Sequence, residues 1–471
     1  MFGLSPQDLL KRTSGTPIYG EIKECKGVFT DSRSTVSDGL FVALQGERYD
    51  GHAFVGSAQA AGAAGAIVLH SQAGAVIAQL DSQKPFFLVG VENTLDALHG
   101  LARGNRISFG GPVIAVTGSN GKTTTKEMIT ACIGTQTRVH ASKLNYNNEI
   151  GLPITLLGLD AQHGACVVEV AMRGLGQIAY LAATALPNIA VVTNVGPVHL
   201  ETLGTLENVA KAKAELIEAL SPQGVAVLNV DDARVAAMAR LAPGKVITYG
   251  LSDTADIQAR DVSLDVDSCR FNLYVEGEFL SQVTVSLPGR HNVSNALAAI
   301  AATQAAGFSL QPALTALEAL SAPPMRMQFI QLENDICLIN DAYNASPLSM
   351  QAALEVLATA PAKRKVAVLG DMLELGVAHE TQHMQVGRQV QESGVDLLVT
   401  IGSGGALIAA GARDTGMSVR SSITYNTAVE AAVHVSDWLR PGDWVLVKAS
   451  RSMRLERVAD AVVAMSGLIE R

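Results

Sequence analysis

The run VIAVTGSNGKTTTKEM, residues 113–128, constrains the chain more than any other stretch. Val113–Thr117 is short and apolar, as a buried strand is, and a glycine turn carries it directly into a helical pattern opened by Lys122. A strand turning through glycine into a helix is the unit of a parallel α/β sheet, with its ligand at the strand's carboxyl end. Backbone N–H groups at the helix start and the Lys122 ammonium make an anion site suited to polyphosphate, and the Thr123 hydroxyl is placed for Mg²⁺. The common spelling of such a loop is Gly, four residues, then Gly-Lys-Ser/Thr. Here Val116 stands where the first glycine belongs, and Gly118 leaves the loop two residues short. A bare strand-to-helix turn that happens to contain Gly-Lys-Thr is the competing explanation.

Similar alternation follows in ACVVEVA, NIAVVTNVG and GVAVLNVDD, apolar runs that end in polar or glycine residues. Upstream, GVFTDSR, GLFVALQG and AIVLH are short strands with an Ala/Gly-rich helical stretch before the last. ARGNRISFGGP (102–112) has turn composition and is expected to be a linker, and the Pro-Pro of LSAPPMRM (320–327) marks a second boundary. Beyond it KVAVLGDM, DLLVTIGSG and WVLVKAS alternate with helical stretches, and IGSGGA (401–406) is only a weak nucleotide-binding hint, since a lone glycine-rich turn after a strand is usually just a tight turn. The expected fold is α/β in three domains. An N-terminal α/β domain covers 1–108, a central, mostly parallel P-loop sheet domain 109–322, and a Rossmann-like domain 323–471.

Composition narrows the class. Hydrophobic residues make up 48% and charged ones 17%, which suits sheets buried on both faces. A net charge of −9 argues against non-specific nucleic-acid binding, which needs basic surface. The five cysteines are far apart and form no CxxC, so neither zinc nor a disulfide framework is expected, and a reducing cytoplasm fits. MFGLSPQDLLKR lacks the pattern of a signal peptide. Asn292–Leu317 carries no charge, but Asn295, Thr303, Gln304, Ser309, Gln311 and Pro312 interrupt it, which predicts a buried helix pair rather than a membrane span.

Several side chains stand out against bland alternatives. Glu169 ends an apolar strand, where a carboxylate needs either an ion-pair partner or a metal. His199 follows another strand and fits a structural role as well as a ligand role. In TLENVAKAKAELIEAL (205–220), Lys211 shares a face with Glu207 and Glu215 and is expected to ion-pair in solvent. Lys213 falls on the apolar stripe, either snorkelling or desolvated with a lowered pKa and a nucleophilic amine. Asn292 and Asn295 share a helix face, fit to bind a base or ribose, though N-capping also explains Asn292. Arg326, at the Pro-Pro boundary, could reach a neighbouring site or simply belong to the linker.

Taken together, DSRSTVSDGLFVALQGERYDGHAF, TGSNGKTT, NYNNEIGLPITLL, NVGPVHLE, AKAKAEL, GRHNVSNALAA, DAYNASPLSM, VLGDMLELG and VKASRS resemble the Mur ligases in sequence and order, over nearly the whole chain. TGSNGKTT is that family's short phosphate loop. The resemblance implies an ATP-dependent ligase that joins D-alanyl-D-alanine to UDP-N-acetylmuramoyl-tripeptide through an acyl phosphate, with Mg²⁺ in two sites. It places ATP on Gly118, Ser119, Asn120, Gly121, Lys122, Thr123 and Thr124, with Asn292 and Asn295 toward the adenine and Arg326, Asp341, Tyr343 and Asn344 around the nucleotide. Metal falls to Thr123, Glu169, His199 and Lys213, the last carbamylated, and catalysis to Lys122, Glu169, His199, Lys213 and Arg326. Ser32, Arg33, Gly46, Asp50 and His52 would meet the UDP-sugar, Asn145, Asn147 and Asn148 the peptide, and Lys448, Ser450 and Arg451 the dipeptide. A cytoplasmic monomer that inserts into no membrane and closes about hinges near 103–112 and 320–327 is expected.

Two departures stand out: Ala171 and Ala449 replace glycines usual in the family, where a demand for positive φ would strain alanine. A sibling ligase adding a diamino acid is disfavoured because Asp-Asn-Pro-Arg is absent and DAYNASP present. Folylpolyglutamate synthetase lacks the UDP-binding-like first domain. A P-loop switch or kinase would need the longer loop and leaves Lys213 unexplained.

Overall fold

The structure, a computed structural model, describes residues 3–46, 49–143 and 145–467. Three sheets carry the chain. The first orders its strands Thr16–Tyr19, Phe87–Val91, Gly65–Leu69, Leu40–Val42 and Val28–Phe29, parallel except for Thr16–Tyr19.

The central sheet has nine strands. Across it lie Glu278–Val285, Cys269–Val275, Ile257–Leu264, Lys245–Gly250, Val225–Asn229, Ile189–Val192, Val113–Thr117, Ala165–Glu169 and Val139–Ala141. The last seven pair parallel, and an antiparallel meander extends the other edge. Val113–Thr117 sits where the strand order reverses, with Ala165–Glu169 on one side and Ile189–Val192 on the other. A crevice opens at the carboxyl ends of the strands at such a reversal, because the following connections diverge to opposite sides. All three strands are buried throughout. Helix Lys122–Gly134 packs on this sheet with the helix pair Arg290–Ala305 and Leu310–Glu318, into which the uncharged stretch folds. No helix among the described residues is long and apolar enough to cross a membrane.

The third sheet runs Gln328–Gln331, Cys337–Asn340, Asp443–Lys448, Arg364–Gly370, Leu397–Ile401 and Ser422–Tyr425, parallel but for the first strand. Its carboxyl edge carries Asp341, Asp371 and Lys448. Gly402 opens a helix directly after the strand Leu397–Ile401, so IGSGGA is the start of Gly402–Asp414.

The expected linker is not formed. Residues 102–108 are not a turn-rich linker but the end of the helix Thr94–Ser108. Tertiary contact overrides the Gly/Arg/Asn composition. Arg106 is buried and donates to the carbonyls of Ala185, Leu186 and Phe109 and to Asn188 Oδ1, and Asn105 donates to Leu156 O and Leu159 O. This helix shares one apolar core with the first and central sheets, which leaves only 109–112 as a connector. Within the expected hinge region only 109–112 lies outside helix and strand.

Candidate active site

The short loop is held by side chains from the strand beside it. Gly118 and Gly121 adopt φ of 154° and 81°. A Cβ on Gly118 would lie 1.8 Å from Thr193 Oγ1, and one on Gly121 would lie 2.4 Å from Asn295 Oδ1. Thr193 and Asn194 follow the strand Ile189–Val192. Thr193 Oγ1 donates to Asn120 O at 2.6 Å, Asn120 N donates to Asn194 Oδ1 at 2.9 Å, and Ser119 N donates to Asn194 O at 2.9 Å. Ser119 and Gly196 exchange a further pair of bonds. The first-turn N–H groups of the helix Lys122–Gly134 are left for an anion. Lys122 Nζ folds back on Gly118 O at 2.8 Å and Ser119 O at 3.2 Å. Burial holds its pKa below the ordinary lysine value; Glu169 opposes that shift and Arg326 adds to it.

Glu169 lies at the carboxyl end of its strand, buried beside the loop. It takes no cation as partner: Thr123 Oγ1 donates to Oε2 at 2.7 Å and Asn147 Nδ2 to Oε1 at 2.8 Å. Of the two readings for Glu169, the ion pair is not formed among the described residues. A carboxylate and a hydroxyl side by side form an oxygen donor set that suits Mg²⁺. Behind it, Ser142 Oγ accepts from Glu169 N at 3.3 Å, and the buried Lys126 donates to Ser142 O at 2.7 Å.

Lys213 is 2% exposed, and it forms no hydrogen bond or ion pair among the described residues. So little exposure favours the desolvated alternative over the snorkelling one. Desolvation, and then the charge of Lys122, put its pKa well below the ordinary lysine range. Lys213 is buried on the helix Leu206–Glu218, whereas Lys211 is exposed on the opposite face of that helix. The expected ion pairs of Lys211 are absent. Glu207 pairs with Arg234 at 3.1 Å, and Glu215 accepts from Gly176 N and Ala179 N, capping the helix Gln177–Ala185. Helix-face proximity lost to these partners, one of them a set of unsatisfied helix-end donors.

His199 caps the short helix Leu200–Leu203 with φ of 53°. Its Nδ1 lies 2.5 Å from Glu374 Oε2, in ion-pair contact but outside hydrogen-bond geometry. Glu374 lies in the segment that follows the strand Arg364–Gly370 of the third sheet, so the contact crosses the cleft. Among the described residues no group of three or more His, Cys, Asp and Glu is gathered as a metal site. Oxygen donors at Thr123 and Glu169 fit one ion, and a second would need an anionic form of Lys213.

From the third sheet, Lys448 Nζ donates to Asp341 Oδ2 at 2.5 Å and Asn344 O at 2.9 Å, and Asp341 Oδ1 accepts from Met327 N. The guanidiniums of Arg326 and Arg451 lie 4.0 Å and 5.9 Å from the Tyr343 ring. Ser450 Oγ accepts from Leu373 N. Asn292 is not an N-cap; Gly289 holds that position. Asn292 Nδ2 donates to Pro288 O, its Oδ1 accepts from Asn295 Nδ2 at 3.0 Å, and Asn295 Oδ1 accepts from Thr125 at 3.2 Å, bracing the loop from behind. Neither Ala171 nor Ala449 has a positive φ, so neither departure strains the backbone.

These walls enclose a cavity of about 1280 Å³ lined by Ser119 to Thr124, Asn145, Asn147, Asn148, Glu169, His199, Asn292, Asn295, Arg326, Asp341, Tyr343, Asn344, Lys448, Ser450 and Arg451. Ser32, Arg33, Gly46, Asp50 and His52 lie apart from it, on the first sheet's connections. Arg33 pairs with Asp31 at 2.7 Å. His52 is engaged by both ring nitrogens, with Asp50 at 2.5 Å and Leu69 N at 2.9 Å. Glu47 and Arg48 of the GERYDGH turn lie outside the described residues. The residue-by-residue reading overlooked Thr193, Asn194, Ser346 and Glu374. The first two were findable as polar residues at the end of a buried strand neighbouring the loop.

Three family models match in series: "Mur ligase family, catalytic domain" over 24–105, "Mur ligase middle domain" over 116–303, and "Mur ligase, glutamate ligase domain" over 325–451. The UDP-N-acetylmuramoyl-tripeptide–D-alanyl-D-alanine ligase of Bacillus subtilis is 38% identical over 97% of this chain and 97% of its own. The enzyme of the same name from Escherichia coli is 34% identical over 92% and 93%. Among solved structures, MurF from Acinetobacter baumannii superposes with a TM-score of 0.87 at 30% identity, covering 98% of both chains. MurF ligase from Thermotoga maritima in complex with ADP does so at 0.80 and 27% identity, covering 92% of this chain and 96% of that one.

Proposed function

The chain belongs to the Mur ligase family, and from that premise we propose that it is the ATP-dependent ligase that joins D-alanyl-D-alanine to UDP-N-acetylmuramoyl-tripeptide in making the peptidoglycan precursor. We assign residues 1–108 to the UDP-sugar, 109–322 to ATP and 323–471 to the incoming amine.

A carboxylate is a poor electrophile, so the tripeptide's terminal carboxylate first attacks the γ-phosphorus of ATP. ADP leaves, and the carboxylate becomes an acyl phosphate. The dipeptide ammonium gives up a proton to become the attacking amine, the amine adds to the acyl carbon, and phosphate and a second amine proton depart from the tetrahedral intermediate to leave the amide. Lys122 and the helix N-terminus hold the phosphate charge as it shifts, and Arg326 acts on the same charge from the other wall of the cleft. Asn147 keeps Glu169 aimed at Thr123. Mg²⁺, held by Thr123 and Glu169, would neutralise phosphate charge when bound, and His199 with carbamylated Lys213 is the set we propose for a second ion. Asn145 and Asn148 would meet the peptide and Lys448, Ser450 and Arg451 the dipeptide.

The observation that carries the reading is Lys213, a buried lysine with no hydrogen bond or ion pair among the described residues, its pKa lowered by burial and by Lys122. An uncharged amine is the form that takes up CO₂, and carbamylation turns a costly buried cation into an anion. A nucleotide switch or kinase has no use for such a group. Phosphate release is the test, with ATP, Mg²⁺, UDP-MurNAc-tripeptide and a panel of amines. Turnover that depends on D-alanyl-D-alanine is expected; turnover that depends instead on meso-diaminopimelate or glutamate overturns the assignment.

A further inference from the structure

We propose that Glu374 receives the ammonium group of the incoming dipeptide, opposite Arg451 at its carboxylate, an inference that rests on the ligase reading above. A dipeptide arrives as a zwitterion, so its site needs both signs of charge on neighbouring segments. The strands Arg364–Gly370 and Asp443–Lys448 are parallel neighbours, and their carboxyl ends supply such segments. Ser450 N donates to Asp371 O at 3.0 Å and Leu373 N to Ser450 Oγ at 2.9 Å, which locks the two segments side by side. Arg451 follows the one and Glu374 the other, and both line the cleft. Arg451 Nη1 lies 3.2 Å from Glu456 Oε2 and 3.6 Å from Met325 Sδ, so other donors of its fork remain for a carboxylate.

Glu374 is held in an unusual way. Its φ is 64°, left-handed in a non-glycine residue, a strain that persists where the surroundings impose it and that gathers at functional sites. The side chain is 43% exposed and reaches across the cleft, Oε2 at 2.5 Å from His199 Nδ1 and Oε1 at 4.0 Å from Arg173 Nε. The other acids of the cleft are placed differently. Glu169 serves Thr123 and Asn147, Asp341 serves Lys448 and Met327 N, Glu355 accepts from Gln351, and Glu149 belongs to the central region.

The alternative role is a latch that only holds the two regions together through His199. Steady-state kinetics on the full chain separates the two. Glu374→Gln keeps the shape and an oxygen beside His199 but loses the charge. It should raise the KM for D-alanyl-D-alanine about tenfold or more, the scale of a charge-assisted hydrogen bond. The KM values for ATP and the UDP-tripeptide should stay within about twofold, and Glu374→Asp, which keeps the charge, should fall nearer the wild type. A wild type that turns over D-alanyl-D-alanine while Glu374→Gln leaves the dipeptide KM unmoved, or raises all three KM values together, overturns this inference alone. A wild type inert with D-alanyl-D-alanine overturns the ligase reading and this inference with it.

Discussion

Ser346 donates its hydroxyl to Asn120 Oδ1 at 2.8 Å, joining the phosphate loop to a residue 226 positions later. The same Ser346 caps the helix Pro347–Thr359 in a capping box with Ser349, so the start of that helix is registered directly on the loop. The contact ties the position of the third-sheet region to the geometry of the loop. Ser346→Ala and Asn120→Ala, combined in a double-mutant cycle on ATP affinity, should show a coupling of about 0.5–1.5 kcal/mol. Additive effects would separate the two residues.

Gly121→Ala tests the compactness of the loop. The new Cβ would meet Asn295 Oδ1 at 2.4 Å with φ at 81°, so both the backbone and the brace behind it must shift. A loss of about 1–3 kcal/mol is expected from the strained φ alone. ATP affinity measured by calorimetry should fall at least tenfold, by about 1.4 kcal/mol.

Lys213→Ala should lower turnover by about a hundredfold or more, on the scale of losing a charge-stabilising group, and short carboxylates should restore part of it. Lys211→Ala, on the solvent face, should be mild. Because an unpaired buried amine is itself destabilising, Lys213→Ala should melt no lower than the wild type. Equal losses of activity from both changes would remove the carbamate argument.

Glu169→Gln retains size and can still bond Thr123 but has no charge for a divalent cation. Turnover should fall about a hundredfold, and the Mg²⁺ concentration needed for half activity should rise. An unchanged Mg²⁺ requirement would place the ion elsewhere.

His383 predicts a pH dependence of stability. Buried, it donates from Nδ1 to His379 O at 2.7 Å and accepts from Met372 N through Nε2 at 2.9 Å, a pattern only the neutral ring can make. Burial lowers its pKa, as it does for His99, His140 and His291. Below the ordinary histidine value the unfolded chain binds protons that the folded chain refuses. The stability these groups confer is therefore complete above about pH 6.5 and is lost as pH falls through the folded pKa values. Melting temperature should drop between about pH 7.5 and about pH 5.5, each group adding at most about 1.4 kcal/mol per pH unit. His383→Gln should flatten the drop.

Much of this site was legible because local spacing carries it. The strand Val113–Thr117, the glycine turn and the helix at Lys122 follow from order along the chain, and helical phase alone separates Lys213 from Lys211. That Asn292 and Asn295 share a face follows from the same periodicity, but that the face turns toward Thr125 does not.

What local spacing misses is decided by partners far away in sequence. Residues 102–108 have the composition of a turn yet are helical, because Asn105 and Arg106 find buried carbonyls some fifty to eighty positions later. Glu207 and Glu215 leave Lys211 for Arg234 and for the start of another helix. The sequence by itself determined the loop, the α/β alternation and the phase of Lys213, since each depends on neighbours within a turn or a strand. Only the tertiary structure decided that Thr193 and Asn194 shape the loop, that Ser346 reaches it, and that Glu374 meets His199 across the cleft. Those contacts exist because strands distant along the chain end at the same edge, and side-chain chemistry there depends on what else arrives.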